Sequence, residues 1–144
     1  MTTSATIEDA NVILRLYEML REPRMREARD WFRSNFKART LAEYTALCPP
    51  GSEENASYRM VTSYWEMVAS FLTKGALNAE LFYQSGRELL FVYARVRHVL
   101  PQLRDAFGNP GELGNLEAAA SGFIDWWNRQ HPGAFDGFCR RIGA

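Results

Sequence analysis

The chain has no long apolar run, and this absence excludes a membrane-spanning helix. Its long apolar runs, such as residues 67–72, which already include Ser70, extend over only about six residues, whereas a bilayer span requires roughly 20 consecutive apolar residues. No basic segment followed by an apolar run opens the sequence, so we expect no signal peptide. The sequence therefore predicts a soluble, cytoplasmic protein without a membrane span.

Cysteine and histidine are scarce, and neither sign of charge is in excess. Cys48 and Cys139 are far apart in sequence, which fits neither a metal-ligand pair nor a redox motif. His98 and His131 stand at the ends of separate predicted helices and form no HExxH motif, so we expect no metal site and no cofactor. The 17 basic and 17 acidic side chains cancel, so no global field attracts nucleic acid or an anionic membrane.

Apolar residues recur at intervals of three and four along nearly the whole chain, which predicts an all-α fold. No segment shows the alternation of a half-buried strand, and no repeat or linker divides the chain. A chain of 144 residues buries roughly 68–70% of its unfolded surface in one core. We therefore predict a single all-α domain over residues 1–144, built as a bundle of five to seven helices.

Two strongly apolar helical patterns within residues 52–100 predict a central antiparallel helical hairpin. The break between them, residues 74–78, contains Gly75 in the position of a C-cap and Asn78 in the position of an N-cap. Such a short connection places two helices side by side and antiparallel. Gly86 falls inside the second predicted helix, where a close helix–helix approach would explain a glycine.

Three segments of this region share a pattern with a known family. Residues 64–69 form an aromatic-aromatic-Glu helix, residues 75–81 a Gly-hydrophobic break, and residues 91–100 a second helix that ends in an Arg-rich turn. In these segments the chain resembles a bacterial family of helical domains, the domain of unknown function 4760. The resemblance implies a helical bacterial protein, and it implies no activity, cofactor or partner.

Glu66 is the first candidate for a functional side chain. A carboxylate partly buried beside Trp65 could have a raised pKa and act as a general base. A single carboxylate with no second acid or histidine at helical spacing is more typical of an ion pair with an arginine, so we assign no catalytic residue. The arginines considered as its partners are Arg87, Arg95 and Arg97.

A ligand pocket in the same region is the alternative to a purely structural hairpin. Helical bundles bind small molecules between facing helices, and aromatic side chains commonly line such sites. The residues predicted to line this pocket are Tyr64, Trp65, Glu66 and Tyr93.

Trp126 and Trp127 form a conspicuous pair near the end of the chain. Adjacent helical positions point about 100° apart, so we expect one ring to face the bundle and the other a neighbour, a pocket or a partner chain. The pair therefore predicts a homo-oligomer interface. In the alternative interpretation, a terminal helix around Phe135 and Phe138 covers the second ring.

Residues 21–39 hold seven basic side chains against three acidic ones, with aromatic residues interleaved. This is the composition of a nucleic-acid-binding helix. However, Arg26 is spaced to pair with Glu22 and Asp30 as on an ordinary solvated face, and no helix-turn-helix pattern follows. The predicted basic face consists of Arg26, Arg29, Arg33 and Lys37.

These observations rank three functions. The sequence first predicts a non-catalytic protein-interaction or scaffolding domain that self-associates through an aromatic face. A small-molecule-binding or enzymatic bundle with a pocket at the central hairpin comes second. Nucleic-acid binding through residues 21–39 comes third, because the chain as a whole carries no net positive charge.

Overall fold

A computed structural model describes residues 4–144, and within this range the chain forms nine α-helices and no β-strand. The all-α prediction is confirmed, but five to seven helices are too few. No helix in the described range is long and apolar enough to cross a bilayer. The helices are α1 (Ile7–Leu20), α2 (Pro23–Asn35), α3 (Leu41–Leu47), α4 (Glu53–Thr73), α5 (Ala79–Tyr83), α6 (Arg87–Val96), α7 (Leu100–Phe107), α8 (Gly114–Gln130) and α9 (Ala134–Ile142).

Local capping explains where four of these helices begin. The first helix has a complete capping box, in which the Thr6 hydroxyl accepts a hydrogen bond from the Asp9 amide and the Asp9 carboxylate accepts one from the Thr6 amide. The side chains of Thr40, Ser52 and Asn78 cap α3, α4 and α5 in the same position. Each of these four helices is therefore preceded in the sequence by a side chain that accepts a hydrogen bond from a free amide of the helix's first turn.

The predicted second arm of the hairpin is not one helix. Residues 79–100 contain α5, α6 and the first residue of α7, and Gly86 is the N-cap of α6 rather than a mid-helix residue. A Cβ atom at Gly86 would lie 2.3 Å from ring carbons of Phe82, so the glycine allows the chain to turn closely over that ring. The second break lies between α6 and α7, just before Pro101, which is in the first turn of α7. These two breaks account for the larger number of helices.

The fourth helix lies at the centre of the molecule and packs most extensively against α8 and α2. Helix α6, which belongs to the predicted second arm of the hairpin, also contacts α4, but less extensively. Two alanines of α8, Ala119 and Ala120, are buried between larger residues of that helix, and their short side chains let other elements approach closely. Leu116 and Phe123 on the same helix are almost completely buried. The principal helix pair of the core is therefore α4 with α8, which are distant in sequence.

Two arginines hold helix ends together inside the fold. Arg95 is 6% exposed, and its guanidinium donates to the carbonyl oxygens of Phe36 at 2.9 Å and Ile142 at 2.8 Å. Those carbonyls lie at the C-terminal ends of α2 and α9, where a cation is favoured. Arg29 forms two hydrogen bonds, of 2.7 and 2.8 Å, with the Glu88 carboxylate and so joins α2 to α6.

We expect Leu116→Ala to lower the free energy of unfolding by about 2 to 5 kcal/mol, because it removes a fully buried side chain and leaves a cavity between α4 and α8. Met19→Ala, at a side chain that is 45% exposed on α1, is the control and should cost less than about 0.5 kcal/mol. Urea denaturation followed by circular dichroism measures both. Similar values for the two variants would contradict the packing described here.

Candidate ligand-binding cavity

A cavity of about 830 Å³ lies between α3, the first two-thirds of α4 and the loop that joins α7 to α8. This volume falls within the range of about 300 to 1,000 Å³ that is typical of small-molecule sites. Its lining residues are Leu41, Tyr44, Thr45, Cys48, Pro50, Asn55, Tyr58, Arg59, Thr62, Ser63, Glu66, Ala106, Phe107, Asn109, Gly111, Glu112 and Leu113.

Hydrogen bonds to main-chain groups hold the walls of the cavity in place. The Asn55 side-chain amide donates to the Cys48 carbonyl oxygen at 3.1 Å, which fixes the end of α3 against α4. The Arg104 guanidinium donates to the Glu112 carbonyl oxygen at 3.0 Å, and the Asn109 side chain accepts from the Gly111 amide. The two walls are therefore built by local side chains and do not depend on a ligand.

Aromatic rings form one side of the cavity. The Tyr44 and Tyr58 rings meet edge to face with centroids 5.1 Å apart, and the Phe107 ring lies 6.4 Å from Tyr44. Tyr58 is 3% exposed, and its hydroxyl oxygen is fully buried near the Thr62 side chain. Burial raises the pKa of the Tyr58 phenol, so this hydroxyl is protonated at neutral pH. Because the surrounding protein closes off this hydroxyl, Tyr58 contributes ring surface to the cavity rather than a hydrogen bond.

Charged groups also line the cavity, and two of them are only partly satisfied. The Arg59 Nε donates to Asn55 at 3.0 Å, and the Glu112 carboxylate accepts from the Asn109 amide at 3.2 Å. Within residues 4–144, neither side chain forms an ion pair. Burial raises the pKa of the nearby Cys48 thiol to about 11, so this sulfur is protonated and a weak nucleophile at pH 7.

The described residues offer no arrangement for metal chemistry. No three histidine, cysteine, aspartate or glutamate side chains in this range cluster as metal ligands would. The cavity residues themselves include no histidine. The arrangement is thus suited to holding an organic molecule by aromatic contact, hydrogen bonds and charge.

Glu66 is positioned at the bottom of this cavity, but its carboxylate is already engaged. It accepts hydrogen bonds from the Leu116 amide at 2.8 Å and from the Asn115 side chain and amide at 2.9 and 3.3 Å. These groups form the first turn of α8, whose own N-cap residue, Leu113, provides no side-chain cap. The prediction that Glu66 pairs with an arginine is wrong, because the free amides of α8 take that place.

The other residues of the predicted pocket lie elsewhere. The Tyr64 hydroxyl donates to the Leu16 carbonyl oxygen of α1 at 2.7 Å, and the Trp65 ring packs edge to face on Tyr64 at 5.0 Å. Tyr93 is half-buried on α6. None of these three lines the 830 Å³ cavity. Tyr64 and Trp65 point away from Glu66 because neighbouring helical positions point in directions about 100° apart, and Tyr93 lies on α6, which does not border the cavity.

Both rings of the tryptophan pair have partners within the chain. Trp126 packs against Tyr83 of α5 with ring centroids 5.1 Å apart. Trp127 meets Phe138 of α9 at 5.8 Å, and the Arg87 guanidinium lies 4.3 Å from the centre of its ring. The structure thus places the terminal helix against the second ring, as in the alternative interpretation.

The four residues of the predicted basic face have different surroundings. Arg29 is tied to Glu88, and Arg33 lies 3.6 Å from the same carboxylate. Arg26 is exposed and forms neither of its predicted ion pairs within the described residues. Lys37 follows the C-terminal end of α2, where the backbone is extended. The structure therefore does not place these four side chains on one helical stripe.

Sequence reasoning missed most of the cavity. A polar stripe at helical spacing along α4, formed by Asn55, Arg59, Ser63 and Glu66, was the available signal. The opposite wall around Glu112 comes from a loop nearly fifty residues later in the chain. Its proximity to α4 depends on the packing of α8, which no local pattern predicts.

The chain belongs to the family described as a domain of unknown function (DUF4760), whose model matches residues 5–126. The resemblance found in the central region is thereby confirmed, and the match extends from before α1 into α8. It includes all the residues that line the cavity. Comparisons with curated proteins and with solved structures give no match.

We expect Glu66→Gln to lower the free energy of unfolding by about 1 to 3 kcal/mol, because the amide loses the charge and one of the two oxygens that cap α8. Glu27→Gln is the matched control, since Glu27 is exposed on α2. Chemical denaturation measures both changes. Equal stability of Glu66→Gln and the wild type would refute the capping role.

Proposed function

We propose that this member of the DUF4760 family binds a small organic molecule in the cavity between α3, α4 and the α7–α8 loop. The observation that supports this most is the lining of the cavity, in which about 830 Å³ of open volume is bordered by the Tyr44 and Phe107 rings and by the Arg59 and Glu112 side chains. Neither charged side chain forms an ion pair within the described residues. A ligand with an apolar ring and charged groups would contact both kinds of side chain.

Binding without chemical conversion fits the residues around this cavity. Nucleophilic catalysis requires an activated nucleophile next to a base, and Cys48 combines a high pKa with 1% exposure. Glu66 has three hydrogen-bond donors from α8, so it is occupied as a helix cap rather than poised as a base. We therefore propose a binding protein rather than an enzyme.

Thr45→Trp tests this assignment because Thr45 is exposed on α3 and lines the cavity. The indole should occupy part of the volume and weaken binding at least about tenfold, or about 1.4 kcal/mol. A thermal-shift screen of small metabolites identifies the ligand as a compound that raises the Tm of the protein, and calorimetry then compares the variants.

Ala46→Trp adds the same ring at the next exposed position, outside the cavity lining, and should bind normally. The proposal fails if no compound stabilises the wild type or if both variants bind equally.

We propose a second function, self-association through α1. Ile7, Leu14 and Tyr17 are 81%, 61% and 59% exposed, and their spacing places them along one face of this helix. Glu8 lies at one end of α1 and Arg21 at the other. An antiparallel pair of α1 helices from two copies would bring these opposite charges together and cover the apolar face. The tryptophan pair is less suited to this role, because α5 and α9 contact its rings.

Leu14→Glu should shift the protein to monomer, because it places a charge at the centre of the α1 face. Light scattering during size-exclusion chromatography at several concentrations gives the solution mass. We expect a dimer for the wild type and for Met67→Glu, a control at a position that is only 36% exposed on α4. A wild-type monomer at every concentration, or an undiminished dimer in Leu14→Glu, would exclude this interface.

A further inference from the structure

We propose that the molecule bound in the cavity is a small zwitterion with an aromatic or other large apolar group. This inference rests on the proposed binding function and specifies its ligand. It is based on two opposite charges, Arg59 and Glu112, that line one cavity without pairing with each other.

The positive charge comes from α4. Arg59 is exposed, and its Nε is held by the Asn55 side chain at 3.0 Å. Its terminal nitrogens have no hydrogen bond or ion pair with residues 4–144. A guanidinium fixed at Nε presents these two donors to a planar carboxylate. Arg59 is therefore suited to an anionic ligand group.

The negative charge comes from the α7–α8 loop. Glu112 is half-buried, and Asn109 donates to only one of its two oxygens. Burial is the main reason that the pKa values of Tyr44 and Tyr58 are raised; the Glu112 carboxylate raises both further, and Arg59 lowers that of Tyr44, so both charges act on the tyrosine side of the cavity. An ammonium group bound there would contact a carboxylate and an aromatic surface together.

Glu66 also lines the cavity, but it adds no unpaired negative charge that would favour a simple cation. Glu66 is balanced by the first turn of α8, which carries the positive end of the helix dipole. One unpaired cation and one unpaired anion then remain. A ligand with a single charge would leave either Arg59 or Glu112 without a partner. A simple anion would also lie near the like charge of Glu112. A zwitterion satisfies both groups.

The uncharged part of the ligand follows from the remaining lining. Tyr44, Tyr58 and Phe107 provide aromatic edges and faces, against which a flat apolar group packs favourably. An amino acid with a large apolar side chain has all these properties.

Four matched probes test this assignment on the full chain. L-phenylalanine carries both charges, 2-phenylethylamine only the ammonium, 3-phenylpropionate only the carboxylate, and 2-phenylethanol neither. Chemical-shift titrations measured by NMR at pH 7 give their dissociation constants. We expect L-phenylalanine to bind at least about tenfold more tightly than each of the other three probes, since hydrogen bonds to charged groups contribute on this scale.

Two variants then separate the two charges. Glu112→Gln should reduce L-phenylalanine binding to about the level of 3-phenylpropionate, without weakening 3-phenylpropionate itself. Arg59→Gln should weaken L-phenylalanine and 3-phenylpropionate but leave 2-phenylethylamine unchanged. The matched controls, Glu27→Gln and Arg26→Gln, alter exposed charges of α2 outside the cavity and should bind like the wild type. Circular dichroism confirms that each variant is folded.

The outcomes distinguish this inference from the function on which it rests. Tightest binding of L-phenylalanine, lost in the expected manner in the two variants, supports the zwitterion. If 2-phenylethanol or a singly charged probe binds as tightly, the zwitterion is excluded while the binding function holds. If none of the four probes binds, the zwitterion is again excluded, and the metabolite screen with Thr45→Trp decides the binding function separately.

Discussion

The hydrogen bonds between the Glu66 carboxylate and the first turn of α8 connect the packing of this protein to its cavity. They fix the start of α8 against α4, the most extensively packed pair of helices. They also position the residues just before α8, where Leu113 adopts a left-handed backbone with φ of +54°. That loop is one wall of the cavity. A single carboxylate therefore sets both the principal helix contact and the shape of the candidate site.

The fold was predictable wherever a local signal determined it. Asn78 stands in the position of an N-cap in the sequence pattern and caps α5 in the structure, because capping involves residues only three positions apart. The division of residues 79–100 was not predictable, since the turn at Gly86 depends on how the Phe82 ring lies beneath it. Apolar periodicity continues across such a turn, so the pattern alone indicates one helix where there are two or more.

The candidate site was harder to predict because it joins distant segments. Glu66 was singled out for its chemistry, yet its partners lie 49 and 50 residues later and are main-chain amides and an asparagine rather than arginines. Tyr58 and Glu112 were not singled out at all. Each is an ordinary residue in its own segment, and only the packing of α8 on α4 places them around one volume. Periodicity specifies which face of a helix is buried, but not which loop faces it.

The buried guanidinium of Arg95 has a consequence for the order in which the chain is made. Its two shortest hydrogen bonds go to carbonyl oxygens that are separated from it by 59 residues toward the N-terminus and 47 toward the C-terminus. On the ribosome, the acceptor at Phe36 exists before Arg95 is synthesised, whereas the acceptor at Ile142 follows long afterwards. A nascent chain that has already formed α2 and α6 still holds a half-solvated cation at their junction. Burial of this charge is completed only when α9 docks, so consolidation of this part of the core waits for the last of the three helices to be synthesised.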